Sequence, residues 1–358
     1  MNKRLVKLLA LGMTAGMLAG CAGKPVTVEN VNFTEKVEGD DSVEQTEKDD
    51  SVIASGQAVK TGLSITSTLA AENAGEKDGT VSTDISLVAV TVGDDGVITD
   101  CEIDAIQGKV LFGTDGQLIS EPGEVLSKNE LGEQYGMKQA SSIGKEWNEQ
   151  AAAIADYAVG KTVEELKNGA IDETGAVKDA DLASSATIYL GGFISAIEDA
   201  VHNAEHMGAS QGDELILTSM TSSGSSTGVT ADADGNAQLD ANIAVMTMKD
   251  GVITSCLIDA VQSKVAFDAN GAVAGEVPQS VLSKNELGEH YGLKQFSPIG
   301  KEWNEQVASF CEYVTGKTAE EVAGIAVDET TVPTDVDLAS SVTIRVGDFM
   351  ALIEKAAK

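Results

Sequence analysis

Basic residues are scarce in this sequence. Lysine and arginine total 24 against 57 acidic residues, and the formal net charge at pH 7 is −33. A chain this acidic repels the phosphates of nucleic acids and the headgroups of anionic lipids. The composition therefore excludes nucleic acid as a partner, and any attachment to a membrane must come from something other than a basic surface.

Histidine and cysteine are also few, with three and four residues respectively. Their spacing matches no metal site, and no Ser, His and Asp set suits nucleophilic catalysis. Asp232 and Asp234 suggest a calcium loop, but an EF-hand starting at Asp232 needs glycine at 237 and glutamate at 243, where the chain has Ala237 and Ile243. We predict no metal site and expect a solvated hairpin loop at residues 232–234.

The apolar stretch near the N-terminus is too short to be a lasting membrane span. Leu5 to Ala19, at 1.5 Å per residue, does not cross a hydrocarbon core of about 30 Å. The basic start of the chain and this stretch are typical of a signal peptide. The sequence Leu18-Ala19-Gly20-Cys21 that ends it resembles the lipobox of bacterial lipoproteins, against the alternative of a chance cysteine. The resemblance implies a signal peptide at residues 1–20, lipidation of Cys21, and a lipid anchor on the extracytoplasmic face of the cell membrane.

The segment that follows, residues 21–59, has few large apolar side chains. Its acidic residues are Glu29, Glu35, Glu38, Asp40, Asp41, Glu44, Glu47, Asp49 and Asp50. Such a segment cannot bury enough apolar surface to offset its chain entropy. We predict an acidic, disordered tether between the anchor and the rest of the protein.

An internal repeat organises the chain after residue 60. Residues 127–150 read SKNELGEQYGMKQASSIGKEWNEQ and residues 283–306 read SKNELGEHYGLKQFSPIGKEWNEQ, so 20 of 24 positions agree at an offset of 156. Each copy has the length of an ordinary domain. We predict two tandem homologous domains, at residues 60–206 and 212–358. The polar block at 127–150 is either a surface site common to both copies or a charged helix–turn–helix cover.

Strand patterns begin each copy and helix patterns end it. Residues 82–92 and 97–106 alternate around the turn Asp94-Asp95-Gly96, and the second copy repeats this hairpin around Lys249-Asp250-Gly251. Apolar residues at helical spacing are Trp147, Ala151, Ile154 and Ala158, then Phe193, Ala196, Ile197, Ala200 and Val201, with Trp303, Val307, Phe310, Val314, Phe349, Leu352 and Ile353 in the second copy. The order predicts an α+β fold in which each domain is an antiparallel sheet followed by helices.

Three cysteines remain besides Cys21, and an odd number implies no closed disulfide framework. Cys101 and Cys256 share the phase of the apolar residues of a strand, and Cys311 belongs to an apolar helix face, so we predict buried thiols. Trp147 and its counterpart in the second copy begin apolar helix stripes. For them, core packing is the first interpretation and cofactor stacking the alternative.

Small hydroxyl residues precede the last helix pattern of each copy. Residues 181–188 read DLASSATI and residues 337–344 read DLASSVTI. Free N–H groups at a helix start, together with hydroxyls, are suited to binding a phosphate, whereas plain N-capping is the structural alternative. The candidate site residues are Ser184, Ser185, Thr187, Ser340, Ser341 and Thr343.

With the preceding hairpin, these motifs resemble the FMN-binding domain of bacterial exported flavoproteins, whose motif is Asp-x-x-Ser-Gly-Ala-Thr. The first copy matches at Asp181, Ser184, Ala186 and Thr187, with Ser185 in place of the glycine. The second copy matches at three positions, Asp337, Ser340 and Thr343, and has Ser341 and Val342 in place of the glycine and the alanine. The resemblance implies FMN as cofactor, joined to the threonine as a phosphoester by a flavin transferase.

The function that this resemblance implies is electron transfer between membrane redox partners and external acceptors. The protein would then be an electron carrier rather than an enzyme with a substrate of its own. One alternative is a flavin-free binding or adhesion lipoprotein that keeps the fold without the cofactor. A solute-binding subunit is a weaker alternative, because such proteins usually place the ligand between two different lobes.

Overall fold

The structure is a computed structural model that describes residues 56–172 and 177–358. The fold is mixed α and β, with antiparallel sheets followed by helices, as the sequence predicts. Residues from Ala54 to Lys358 form one compact unit. The predicted signal peptide, Cys21 and all but the last few residues of the predicted tether lie outside the described residues.

The first half begins with three long strands and continues into short helices. Its elements are β1 (Lys60–Glu72), β2 (Gly79–Val92), β3 (Ile98–Phe112), β4 (Glu124–Val125), α1 (Lys128–Leu131), a 3-10 helix (Gly132–Tyr135), α2 (Trp147–Ala158), α3 (Val163–Ala170), α4 (Ala180–Ser185) and α5 (Leu190–His202).

The second half repeats this order. Its elements are β5 (Glu214–Ser222), β6 (Gly235–Lys249), β7 (Val252–Phe267), β8 (Val273–Ala274), α6 (Lys284–Leu287), a 3-10 helix (Gly288–Tyr291), α7 (Trp303–Val314), α8 (Ala319–Ala323), α9 (Val336–Ala339) and α10 (Gly347–Ala356).

Tight turns set the register of the central hairpins. β2 pairs antiparallel with β3, and β6 with β7. The turns contain Gly96, at φ 80°, and the pair Asp250 and Gly251, at φ 51° and 78°. Positive φ is the conformation that Asp-Gly hairpin turns require. Both hairpins predicted from the sequence are therefore confirmed.

Each sheet has two buried faces. One face of the first sheet packs on helices of its own half through residues that include Val88, Val90 and Ile103. The other face, which carries Ile85 and Leu87, packs against residues of the second sheet. The second sheet is likewise covered by helices of its own half. The layers therefore run helices, sheet, sheet, helices, and the two sheets bury their apolar faces against each other.

The halves also exchange short edge segments. β4 belongs to the first half but pairs with β5, placing Glu124 opposite Ser222. In return, the backbone N–H of Leu69 in β1 donates to the carbonyl of Gln279, at 2.9 Å, and the N–H of Val281 donates to the hydroxyl of Ser67, at 2.8 Å. The second sheet is thus extended at one edge by a strand of the first half, while the first sheet is contacted at its β1 edge by residues 279–281.

Capping boxes begin one short helix in each half. Thr162 accepts from the backbone N–H of Glu165 and Thr318 from that of Glu321, each as part of a capping box. Within the described part of the chain, no helix has the length and apolar character needed to cross a membrane.

Candidate functional site

The hydroxyl-rich turns lie between two helices in each half. In the first half, Asp179 caps α4, and its carboxylate accepts from the N–H groups of Asp181 and Leu182, both at 2.9 Å. Ser184 donates its hydroxyl to the carbonyl of Asp181 at 2.7 Å, and Ser185 is the last residue of α4. The serines therefore belong to the helix that precedes the turn.

The second half has the same arrangement. Asp335 caps α9. Ser340 donates its hydroxyl to the carbonyl of Asp337 at 2.8 Å, and Ser341 donates to that of Leu338 at 3.3 Å. Both serine hydroxyls are thus engaged within their own turn.

The sequence pattern suggested that the candidate threonines lie at the start of the last helix. In the structure they lie before it. Thr187 precedes Leu190, the first residue of α5, by three residues, and Thr343 precedes Gly347 of α10 by four. The N-cap residues of these helices are Tyr189 and Val346, and neither caps through its side chain. The alternative of simple N-capping of the last helix is therefore also wrong.

Instead, a buried glutamine holds each threonine. Oε1 of Gln150 accepts from the backbone N–H of Thr187 at 2.7 Å, from its hydroxyl at 3.2 Å, and from the N–H of Ile188 at 3.2 Å. Nε2 of the same side chain donates to the Ser141 hydroxyl and the Lys145 carbonyl, both at 3.1 Å. We call this arrangement the glutamine clamp.

The clamp is repeated in the second half. Oε1 of Gln306 accepts from the N–H of Thr343 at 2.8 Å and from its hydroxyl at 3.1 Å. Nε2 donates to Ser297 at 3.2 Å and to the Lys301 carbonyl at 3.1 Å. The clamp therefore joins the polar block, residues 127–150 and 283–306, to the hydroxyl-rich turn in both halves. Sequence reasoning missed it, although a glutamine within the apolar stripe that starts at Trp147 was a usable signal.

A buried glutamate of the polar block stabilises a loop in each half. Glu146 is buried, and its carboxylate accepts from the N–H groups of Met137, at 2.8 Å, and Lys138, at 3.1 Å. Glu302 does the same in the second half with Leu293 and Lys294, at 2.8 and 3.1 Å. Because these contacts shape the loop before α2 and α7, they favour the interpretation of the block as a polar cover.

The tryptophans and cysteines are core residues, as the sequence predicts. Trp147 packs edge-on against Phe193, and Trp303 against Phe349, each with ring centroids 6.1 Å apart. The three cysteines that the structure describes, Cys101, Cys256 and Cys311, are buried and free. Burial raises the pKa of the Cys101 thiol well above its usual value, so this thiol stays protonated and a poor nucleophile.

A cluster of carboxyl groups lies on β3 beside α2. Burial, reinforced by the neighbouring Asp100, Asp104 and Asp156, raises the pKa of Glu102 to about 7. In the second half, burial raises the pKa of Asp259 to about 6, although the Ser283 hydroxyl and the N–H of Asn285 bind its carboxylate. Within the described ranges, no group of three or more acidic, histidine or cysteine side chains is arranged to hold a metal ion.

The raised pKa of Glu102 predicts a pH-dependent stability. Between about pH 4.5 and 7 the unfolded chain releases this proton while the folded protein retains it, so the stability falls as the pH rises through this interval. We expect Glu102→Gln to raise the free energy of unfolding at pH 8 by about 1 kcal/mol, after screening at a partly exposed site, and to flatten this slope. Urea unfolding at pH 5 and pH 8 measures both. Equal slopes in Glu102→Gln and in an exposed control, Glu133→Gln, would contradict the assignment.

Comparison with known proteins adds no further identification: no protein family, curated protein or solved structure matches this chain.

Proposed function

We propose that this protein is a lipid-anchored lipoprotein on the extracytoplasmic face of the cell membrane. Its two homologous domains, residues 60–206 and 212–358, would present Thr187 and Thr343 for covalent attachment of FMN. The observation that carries this proposal is the glutamine clamp, which holds a threonine in the same way in each half. Thr187 is an exposed residue, as a modifying enzyme requires.

The surroundings of Thr187 suit a phosphoester better than a freely bound phosphate. The N–H groups of Thr187 and Ile188 are bound to Gln150, so they are not available to cradle a phosphate. The threonine oxygen remains available to form the new P–O bond. In this step an activated flavin nucleotide would lose its leaving group, and the hydroxyl proton would pass to a base of the transferase.

An exposed aromatic side chain lies two residues beyond the threonine. Tyr189 is 72% exposed, and its ring lies against the backbone of Gly191 and Gly192. An aromatic face beside the attachment point offers a stacking surface for the isoalloxazine ring. The second half has Arg345 at this position, and Thr343 is half-buried. Both differences favour loading of the first half before the second.

The role that follows from a tethered flavin is electron relay between membrane redox partners and external acceptors. FMN would supply the redox chemistry, and the protein would supply attachment and orientation. This role makes the protein a carrier rather than an enzyme. A flavin transferase is the partner that the proposal requires.

A second function is favoured by a separate observation. A cavity of about 1200 Å³ opens between the halves, and neither Thr187 nor Thr343 lines it. A cavity of this size can enclose a small molecule. A flavin-free binding lipoprotein is therefore the alternative if no flavin is found.

Mass spectrometry of the full chain, co-expressed with a flavin transferase, tests the flavin proposal. We expect one FMN adduct to appear first, to be lost in Thr187→Ala, and to persist in the matched variant Thr187→Ser, which keeps a hydroxyl. Thr343→Ala should retain this first adduct. If neither an adduct nor tightly bound FMN appears, the clamped turns are structural only and the binding alternative takes the lead.

A further inference from the structure

The cavity between the halves is strongly acidic. Its walls come from β1 and the end of α5 in the first half, and from β7, α6 and α7 in the second. Five carboxylate side chains line it: Asp199, Glu205, Asp259, Glu286 and Glu312. Among the described residues that line it there is no lysine or arginine, and His202 is the one side chain able to become cationic. A concave surface with charges of one sign concentrates ligands of the opposite sign.

The internal repeat gives this cavity an equivalent site elsewhere in the protein, and a side chain of the chain occupies that site. At the offset of 156, Asp199 corresponds to Lys355, and Glu286 corresponds to Glu130. Nζ of Lys355 donates to the carbonyl of Ser219 at 2.6 Å and forms an ion pair with the Glu130 carboxylate. One of the two equivalent sites is therefore occupied by an ammonium group of the chain itself.

The cavity is the other of these two sites, and it has the carboxylate of Asp199 where the Glu130 site has Lys355. Asp199 and Glu286 both line the cavity, and neither has a basic partner among the ion pairs of the described residues. Asp259 is buried in the same wall, where burial and the charge of Glu286 raise its pKa. A cationic donor would offset this excess of negative charge.

The remaining lining favours a ligand with an apolar stem. Leu63 and Val307 are buried in the cavity wall, and Leu257 is half-buried there. Along β3 and β7 the offset is 155, since Asp104 and Asp259 bind the equivalent N–H groups of Asn129 and Asn285. Leu257 therefore replaces Glu102, and this site is less polar than its counterpart. An alkyl chain that carries an ammonium group, as the lysine side chain does, matches both parts of the lining.

We propose that this cavity binds a small organic cation in which a primary ammonium group is carried on an alkyl stem, as in a linear diamine. The ammonium group contacts Asp199 and Glu286, in the place that Lys355 takes at the equivalent site, and the stem packs on Leu257 and Val307. The site does not depend on the threonines, so this proposal stands apart from flavin attachment.

Titration calorimetry of the purified full chain with cadaverine tests the proposal. We expect binding of one molecule, with no binding of 1,5-pentanediol or glutarate, which lack the ammonium group. Asp199→Lys should place a lysine in the cavity, as Lys355 is placed at the equivalent site, and weaken binding at least about tenfold. Glu286→Gln, which keeps the shape of the side chain, should also weaken binding. The control Asp232→Lys makes the same charge change in an exposed loop outside the cavity and should bind as the wild type does.

Several results would contradict cation binding in this cavity. Absence of cadaverine binding would overturn the proposal, as would equal weakening in Asp199→Lys and Asp232→Lys, because the latter indicates general attraction to an acidic surface. If Asp199→Lys proves unfolded by circular dichroism, Glu286→Gln decides the matter alone, and unchanged affinity in that variant would overturn the proposal. Each of these results is distinct from failure of flavin attachment, which is measured on other residues.

Discussion

Phe267→Ala is expected to lower the free energy of unfolding by about 3–5 kcal/mol, which is the usual cost of truncating a buried phenylalanine. Phe267 and Phe112 are fully buried, and their rings stack with centroids 4.1 Å apart and planes 8° apart. The rings come from the two halves and are surrounded by apolar residues of both sheets. Removal of either ring therefore leaves a cavity in the interface between the two sheets.

Two glycines show how closely these rings are packed. A Cβ atom on Gly79 would lie 2.3 Å from the Phe112 ring, and one on Gly235 would lie 2.2 Å from the Phe267 ring. Real Cβ atoms do not approach ring carbons this closely, so the glycines are required for the stack to form. The neighbouring backbone cannot fill the space left by a lost ring without a shift of both strands.

Thermal or urea unfolding of the full chain measures this effect. Because the stack joins the halves, we expect Phe267→Ala and Phe112→Ala to destabilise the whole compact unit in a single transition. Phe296→Ala is the matched control, since Phe296 is 79% exposed and its loss should change the stability by no more than about 0.5 kcal/mol. Two separate transitions, of which Phe267→Ala moves one alone, would show that the halves are stable independently of each other.

Cys21→Ala is expected to abolish lipid attachment completely. Leu18-Ala19-Gly20-Cys21 ends the predicted signal peptide, and the proposed lipidation needs the thiol of Cys21. Each buried methylene of an acyl chain contributes about 0.8 kcal/mol to membrane binding, so two or three chains hold a protein stably. The net charge of −33 disfavours attachment to anionic lipid in their place.

Metabolic labelling with a radioactive fatty acid distinguishes the outcomes. Wild-type protein should carry the label, and Cys21→Ala should carry none and keep its signal peptide. Cys311→Ala is the matched control, because the equivalent residue of the first half is Ala155 and the alanine is therefore compatible with the fold. Equal labelling of Cys21→Ala and wild-type protein would show that the lipobox interpretation is wrong.

The local elements of this fold were predictable because their signals are local. The turns at Gly96 and Gly251 need positive φ, which Asp-Gly pairs supply. Thr162 and Glu165 form the capping box that their spacing predicts. The stripe that starts at Trp147 marks the buried face of α2. Each of these features depends on residues within a few positions of one another.

The contacts between the halves were not predictable in the same way. The alternation of Ile85 and Leu87 indicates a buried sheet face, but this pattern is the same whether a helix or a second sheet covers it. The exchanged pair Glu124–Val125 is too short to leave a periodic signal. The repeat predicts two similar units without indicating which of their surfaces meet.

The candidate site was predicted in part. The sequence indicated the hydroxyl-rich turns, but it placed the threonines at helix starts and missed the glutamines that bind them. Gln150 is 37 residues away from Thr187, and no local rule joins the two. The cavity was also missed, because its walls are distant in sequence and its five carboxylates come from both halves.

The most direct test of the flavin proposal is the visible absorption spectrum of the full chain, purified from membranes of cells that export it and contain a flavin transferase. The proposal predicts the absorption bands of oxidised flavin, which bleach on reduction with dithionite and remain with the protein after denaturation and removal of small molecules. A protein that carries the lipid anchor and is folded, yet shows no flavin absorption before or after denaturation, would contradict it.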